Sequence, residues 1–146
     1  MSKTFPFIAL AAGALLAAPA LADSPGAGET RGFHPKILAA LADFGHLSEL
    51  AGKYKLRVTQ VTIDPDGGMG AHHHAGPGIR CLTSGELTYT IEGKTTVYRA
   101  GDCFTETGGI SHTTLNAGAA PVVLLNFEIL PASLPETKGS LTPLPK

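Results

Sequence analysis

The stretch Gly67-Gly68-Met69-Gly70-Ala71-His72-His73-His74 decides how this chain is read, and it does so together with Gly108-Gly109-Ile110-Ser111-His112. His112 lies 38 residues beyond His74. In a β-strand, residues i and i+2 face the same side. His72 and His74 therefore point together while His73 points away. Two imidazoles so spaced form one edge of a metal site, and His112, on a later strand, supplies a third from across the interior. A triple histidine alone would also suit a solvated polar loop. The distant Gly-x-x-His after a hairpin makes a shared centre the stronger reading.

Outward from that stretch the sequence reads as strands and turns. Tyr54 to Ile63 is rich in β-branched residues, and Asp64-Pro65-Asp66-Gly67-Gly68 reads as a turn. Strands follow at Ile79 to Thr83, Glu86 to Ile91, Thr95 to Arg99, Cys103 to Thr107, His112 to Leu115 and Pro121 to Leu130. Glu92-Gly93-Lys94 is a tight hairpin turn. Short strands with turn signals between them indicate an all-β sandwich or barrel, here spanning residues 54–130. Upstream, Ile37, Leu38, Leu41, Phe44 and Leu47 recur at helical spacing after Pro35, which predicts a short helix over Pro35 to Leu50 within an N-terminal arm of residues 23–53. Residues 131–146 carry four prolines and predict a tail that lies along the surface or frays.

The N-terminus carries a leader signature. Lys3 precedes a 12-residue apolar run, Phe7 to Ala18, and Ala20-Leu21-Ala22 is a small-x-small cleavage site. Residues 1–22 are expected to be a signal peptide, cut after Ala22, with the mature protein periplasmic or secreted. The run is too short for a mature membrane span, so no membrane association is expected after processing. Net charge is −1 with both signs interspersed, which argues against nucleic acid as a partner. Export makes Cys81 and Cys103 candidates for a disulfide, the alternative being two buried thiols packed as apolar groups.

From Gly67 to Asn116 the chain resembles the cupin superfamily. The first cupin motif is matched by His72-x-His74 and Gly85, with Gly67, Gly68 and Gly70 upstream. The second is matched by Gly101, Gly109, His112 and Asn116, with Thr107 where proline is usual. The resemblance implies a single cupin barrel, a jelly-roll-like double-stranded β-helix. It implies a divalent transition metal (Fe, Mn, Ni, Cu or Zn) on His72, His74 and His112, a small-molecule ligand, and a homodimer. The family's usual glutamate ligand falls on Gly78 or Ile79, neither of which binds metal, so the expected site has three neutral imidazoles and no carboxylate.

Two further residues are candidates for catalytic work. Glu106 precedes the bend leading to His112 and could replace the missing ligand or accept an N–H from a ligating imidazole; the plain alternative is a carboxylate at a solvated rim. Arg80 shares the inward face of its strand, where it could pair with Glu106 or hold a substrate carboxylate; a bulge would turn it to water instead. The ligand count resembles cupin-like dioxygenases acting on thiols and diketones, so the function expected is an exported metal-dependent dioxygenase on a small chelating or anionic substrate. The alternatives are a non-catalytic metal- or ligand-binding cupin and a zinc-dependent hydrolytic or isomerase cupin.

Overall fold

The computed structural model describes residues 23–143. The expected signal peptide, residues 1–22, lies outside them. The described residues form nine strands: β1 (Thr30–Leu41), β2 (Tyr54–His74), β3 (Gly78–Ser84), β4 (Glu86–Ile91), β5 (Lys94–Arg99), β6 (Cys103–Glu106), β7 (His112–Leu115), β8 (Val122–Pro131) and β9 (Leu141–Pro143). They make one antiparallel sheet, ordered β5-β4-β7-β2-β8-β3-β6, with β1 and β9 both pairing to β2. The sheet curls into a nearly closed all-β barrel, as the strand pattern predicts.

Alternation along the strands builds the core. Val61 and Ile63 of β2, Leu82 of β3, Leu87 and Tyr89 of β4, Phe104 of β6, and Val122 and Leu124 of β8 form one buried cluster. Each buried aliphatic side chain there contributes about 1.5–3 kcal/mol relative to exposure. The β4–β5 hairpin closes through Glu92 (φ 49°) and Gly93 (φ 76°). Two consecutive left-handed residues match the twist of the flanking strands.

Three expectations need correction. Residues 35–41 are not helical: they belong to β1, which pairs with β2 from Phe33↔Ile63 to Leu41↔Leu56, and residues 42–53 are turns and irregular chain. The residues that gave the helical spacing find no core to cover, since Leu38 and Leu41 stay about half exposed. Pairing the backbone with a free edge of β2 wins instead, and Pro35 is tolerated because β1 is an added outer strand.

Asp64 to Gly68 is likewise no turn but a corner inside the 21-residue β2. Before it β2 pairs with β8 (Tyr54↔Pro131 to Ile63↔Val122), and after it with β7 (Gly68↔Leu115, His72↔His112). A Cβ on Gly68 would lie 2.2 Å from the Thr114 carbonyl oxygen, so only glycine allows that approach.

The tail, finally, does not merely follow the surface. Residues 132–143 cross one end of the barrel: Ala132 N donates to Lys53 O, Arg57 Nη1 to Lys138 O, and Ala75 N to Ser140 O. β9 then pairs with the histidine strand (His74↔Leu141). Cys81 and Cys103 form a disulfide between paired positions of β3 and β6.

Candidate metal centre

His72 and His74 point inward from β2 and His112 from β7, all three buried, while His73 is half-buried and faces the other way. One ligand nitrogen from each of the three lies within 4.8 Å of the others. The close pairing of β2 and β7 at His72↔His112 brings those rings to a centroid separation of 4.3 Å.

The outer nitrogens are all occupied. His72 Nδ1 is 2.8 Å from the Gly70 carbonyl and His112 Nδ1 is 3.0 Å from that of Ile110. A carbonyl only accepts, so each Nδ1 carries the proton and donates. His74 Nδ1 lies 3.3 Å from Ser140 Oγ and 3.5 Å from Glu128 Oε1. In the neutral rings, the Nε2 lone pairs therefore face inward. The Nε2 atoms of His72 and His112 are buried without a hydrogen-bond partner.

Glu106, the candidate to replace the missing carboxylate, lies beside the imidazoles. Gly78, at the family's usual glutamate position, pairs directly with Glu106 across β3 and β6. Glu106 Oε2 is 3.1 Å from His74 Nε2, and its Oε1 is 3.1 Å from His112 Nε2. An imidazole lone pair and a carboxylate oxygen repel at that distance unless a proton or a cation lies between them. Such spacing suits neighbouring ligands of one ion, because metal–nitrogen bonds of about 2.0–2.1 Å place adjacent donors roughly 3 Å apart. The donor set and its buried lone pairs fit a divalent transition ion.

Around this centre runs a buried charge network. Arg80 is inward and buried, as strand parity predicts, and its Nη2 lies 2.8 Å from Glu106 Oε2 and 3.1 Å from Glu128 Oε1. A Cβ on Gly78 would come within 2.1 Å of Arg80 Nη1, so the absent side chain is what gives the guanidinium its room. Arg57 Nη2 sits 3.7 Å from Glu128 Oε2, and Ser140 Oγ donates to Glu128 Oε1.

Titration follows from these contacts. Burial pushes the His72 imidazole down to about 4, helped by the neighbouring His112. For Glu106 burial acts upward, but His112, Arg80 and His74 outweigh it and hold the carboxyl at about 2. Glu128 is held low in the same way, with burial overcome by His74, Arg80 and Ser140. Tyr89, whose ring lies 5.0 Å from that of His112, is pushed up by burial and then by the charge of Glu106.

The comparisons with known proteins agree with this fold. Residues 59–128 match the family model described as Cupin domain. The chain is a member of the cupin superfamily. A cupin-like protein from Thermotoga maritima is 19% identical with a TM-score of 0.56, covering 85% of each chain. A conserved protein with a double-stranded β-helix domain from Klebsiella pneumoniae is also 19% identical, with a TM-score of 0.54, over 86% of this cupin and 92% of its own chain. The polyketide cyclase RemF from Streptomyces resistomycificus is 14% identical, with a TM-score of 0.54, over 76% of this chain and 78% of its own. At these identities the likeness is one of fold. No curated protein matches the sequence.

Sequence reasoning missed Arg57, Asn126, Glu128 and Ser140, all buried. A signal for the middle two was present. β8 alternates Val122, Leu124, Asn126, Glu128 and Leu130 on its inward face, so two polar residues stand where the period demands a core. Ser140 gave no such signal, because it follows an irregular, proline-rich segment.

Proposed function

We propose that this cupin binds one divalent transition ion on His72, His74 and His112, with Glu106 as the fourth protein ligand, and acts there as a dioxygenase on a small chelating or anionic substrate. What supports the ion is the convergence of unpartnered imidazole nitrogens on a buried carboxylate. When bound, the ion would supply open coordination positions and, if iron or copper, one-electron chemistry toward oxygen. The chain's own residues do the rest. Gly70 O and Ile110 O fix the tautomers and ring orientations of His72 and His112. Arg80 holds the Glu106 carboxylate in place, its Nη2 2.8 Å from Oε2.

Export to the periplasm or beyond, after cleavage at Ala22, belongs to the same proposal; the disulfide supports it, since such bonds persist in oxidising compartments. A homodimer is supported by the outward face of β3 and β8, where Ile79, Phe127 and Ile129 are exposed.

A second reading, a non-catalytic metal-binding cupin, is favoured by one observation. The void beside the imidazoles is only ≈ 20 Å³, room for about one water. Metal analysis of untagged protein, followed by oxygen uptake with a diketone, a thiol and a catechol, separates the two. Stoichiometric iron or copper with substrate-dependent uptake supports the oxygenase. Bound metal with no turnover leaves the binding role, and absence of metal at any added ion removes both.

A further inference from the structure

A second chamber adjoins the metal centre. It is a cavity of ≈ 200 Å³ at the barrel end crossed by the tail, and Phe33, Val61 and Asn126 border both it and the smaller void. Its floor is polar and its walls are not. Arg57 and Thr59 rise from β2 and Asn126 and Glu128 from β8, while Phe33, Ile37 and Leu141 provide apolar surface.

Three polar atoms on that floor are buried and unpartnered: Arg57 Nε, Thr59 Oγ1 and Asn126 Oδ1. Arg57 is only 2% exposed, Thr59 6% and Asn126 8%. Buried polar atoms without partners are uncommon, and of the three lining this cavity Arg57 Nε and Thr59 Oγ1 can donate to a ligand while Asn126 Oδ1 accepts. The charges say which kind. Glu128 Oε1 is engaged by Arg80 at 3.1 Å and by Ser140, whereas Arg57 reaches Glu128 only at 3.7 Å. Among the described residues its other partner is the Lys138 carbonyl, which carries no charge. A guanidinium taken out of water needs an anion close by, and its planar N–H edge suits a carboxylate.

We propose that this chamber binds a small monocarboxylate, its head on Arg57 Nε and Thr59 Oγ1 and its hydrocarbon end against Phe33, Ile37 and Leu141. The volume, below the range of drug-sized sites, sets the ligand at a handful of carbons. This deepens the reading of the metal site by naming the class of its anionic substrate, but the residues that hold the head group are not metal ligands. Carboxylate binding therefore survives removal of the ion.

The test titrates butyrate, butyramide and inorganic phosphate into the purified protein, with and without chelator treatment, followed by calorimetry. Butyrate is expected to bind at one per chain and at least tenfold more tightly than butyramide in both preparations. Thr59→Val, which keeps shape and removes the hydroxyl, is expected to weaken butyrate three- to tenfold with an unchanged urea midpoint; Arg57→Lys is expected to weaken it more than tenfold. Butyramide binding as tightly as butyrate, phosphate binding more tightly, butyrate affinity unchanged in both variants, or no binding of any probe would each overturn the proposal. Metal content is measured on the same samples. Intact metal without butyrate binding refutes this site alone, and butyrate binding in a protein that takes up no metal refutes the centre alone.

Discussion

Acidifying the ion-free protein offers a quantitative check on how the imidazoles are held. His72 stays neutral in the fold down to about pH 4, against an ordinary value of 6.5. Between those values the unfolded chain binds a proton that the native chain refuses, so stability falls as pH falls. The contribution is whole above pH 6.5 and gone near pH 4, a loss of about 3 kcal/mol at roughly 1.4 kcal/mol per pH unit. Glu106 acts in a lower window. Its carboxyl is held below the ordinary 4.5, with Arg80 2.8 Å away, so its contribution is present above pH 4.5 and is lost as pH drops further. The assay is urea unfolding of chelator-treated protein at half-unit steps from pH 7.5 to 3.5, alongside His72→Gln. The expected result is a steep loss between pH 6.5 and 4 in the parent and a shallower one in the variant. Parallel curves across that window would show that His72 is not desolvated in the native state, and the buried three-imidazole cluster would lose its physical basis.

Other outcomes are equally specific. His112→Ala should abolish stoichiometric metal binding, whereas His73→Ala, whose ring faces away, should retain it; inductively coupled plasma analysis of both proteins decides, and equal losses would show the parity of β2 to be misassigned. Arg80→Leu leaves Glu106 and Glu128 one cation short and should cost about 3–5 kcal/mol in urea unfolding of the ion-free protein; a loss under about 1 kcal/mol would mean that the Arg80 pairs carry little. Replacing Cys81 and Cys103 with alanine removes a crosslink spanning 22 residues of sequence and should lower stability by about 2–4 kcal/mol, read as a lower urea midpoint; an unchanged midpoint refutes it.

The sequence carried the strand pattern well, and the reasons are local. Ile91-Glu92-Gly93-Lys94 has one low-strain solution, and the hairpin forms there. His72 and His74 had only to obey the period of two, and Arg80 turned inward by the same rule. What the sequence hid depends on pairing at a distance. Glu106 could be named as a stand-in for the missing ligand, but that it lies opposite Gly78 depends on a register that nothing near it announces. The β1 error has the same origin. Leu38 and Leu41 have a helical spacing, but whether that spacing matters depends on a surface to cover, and the unpaired edge of β2 offered backbone bonds instead.

Residue 140 gives the fold an order in time. The imidazole of His74 meets Ser140, and the strand bearing His72 and His74 is flanked by Leu141 to Pro143, so a centre drawn from residues 72–112 is finished by chain made some thirty residues later. A growing polypeptide holding only the first eight strands would present its histidines with one side unsupported. Ion capture during synthesis would then be premature, and loading should follow the arrival of this strap.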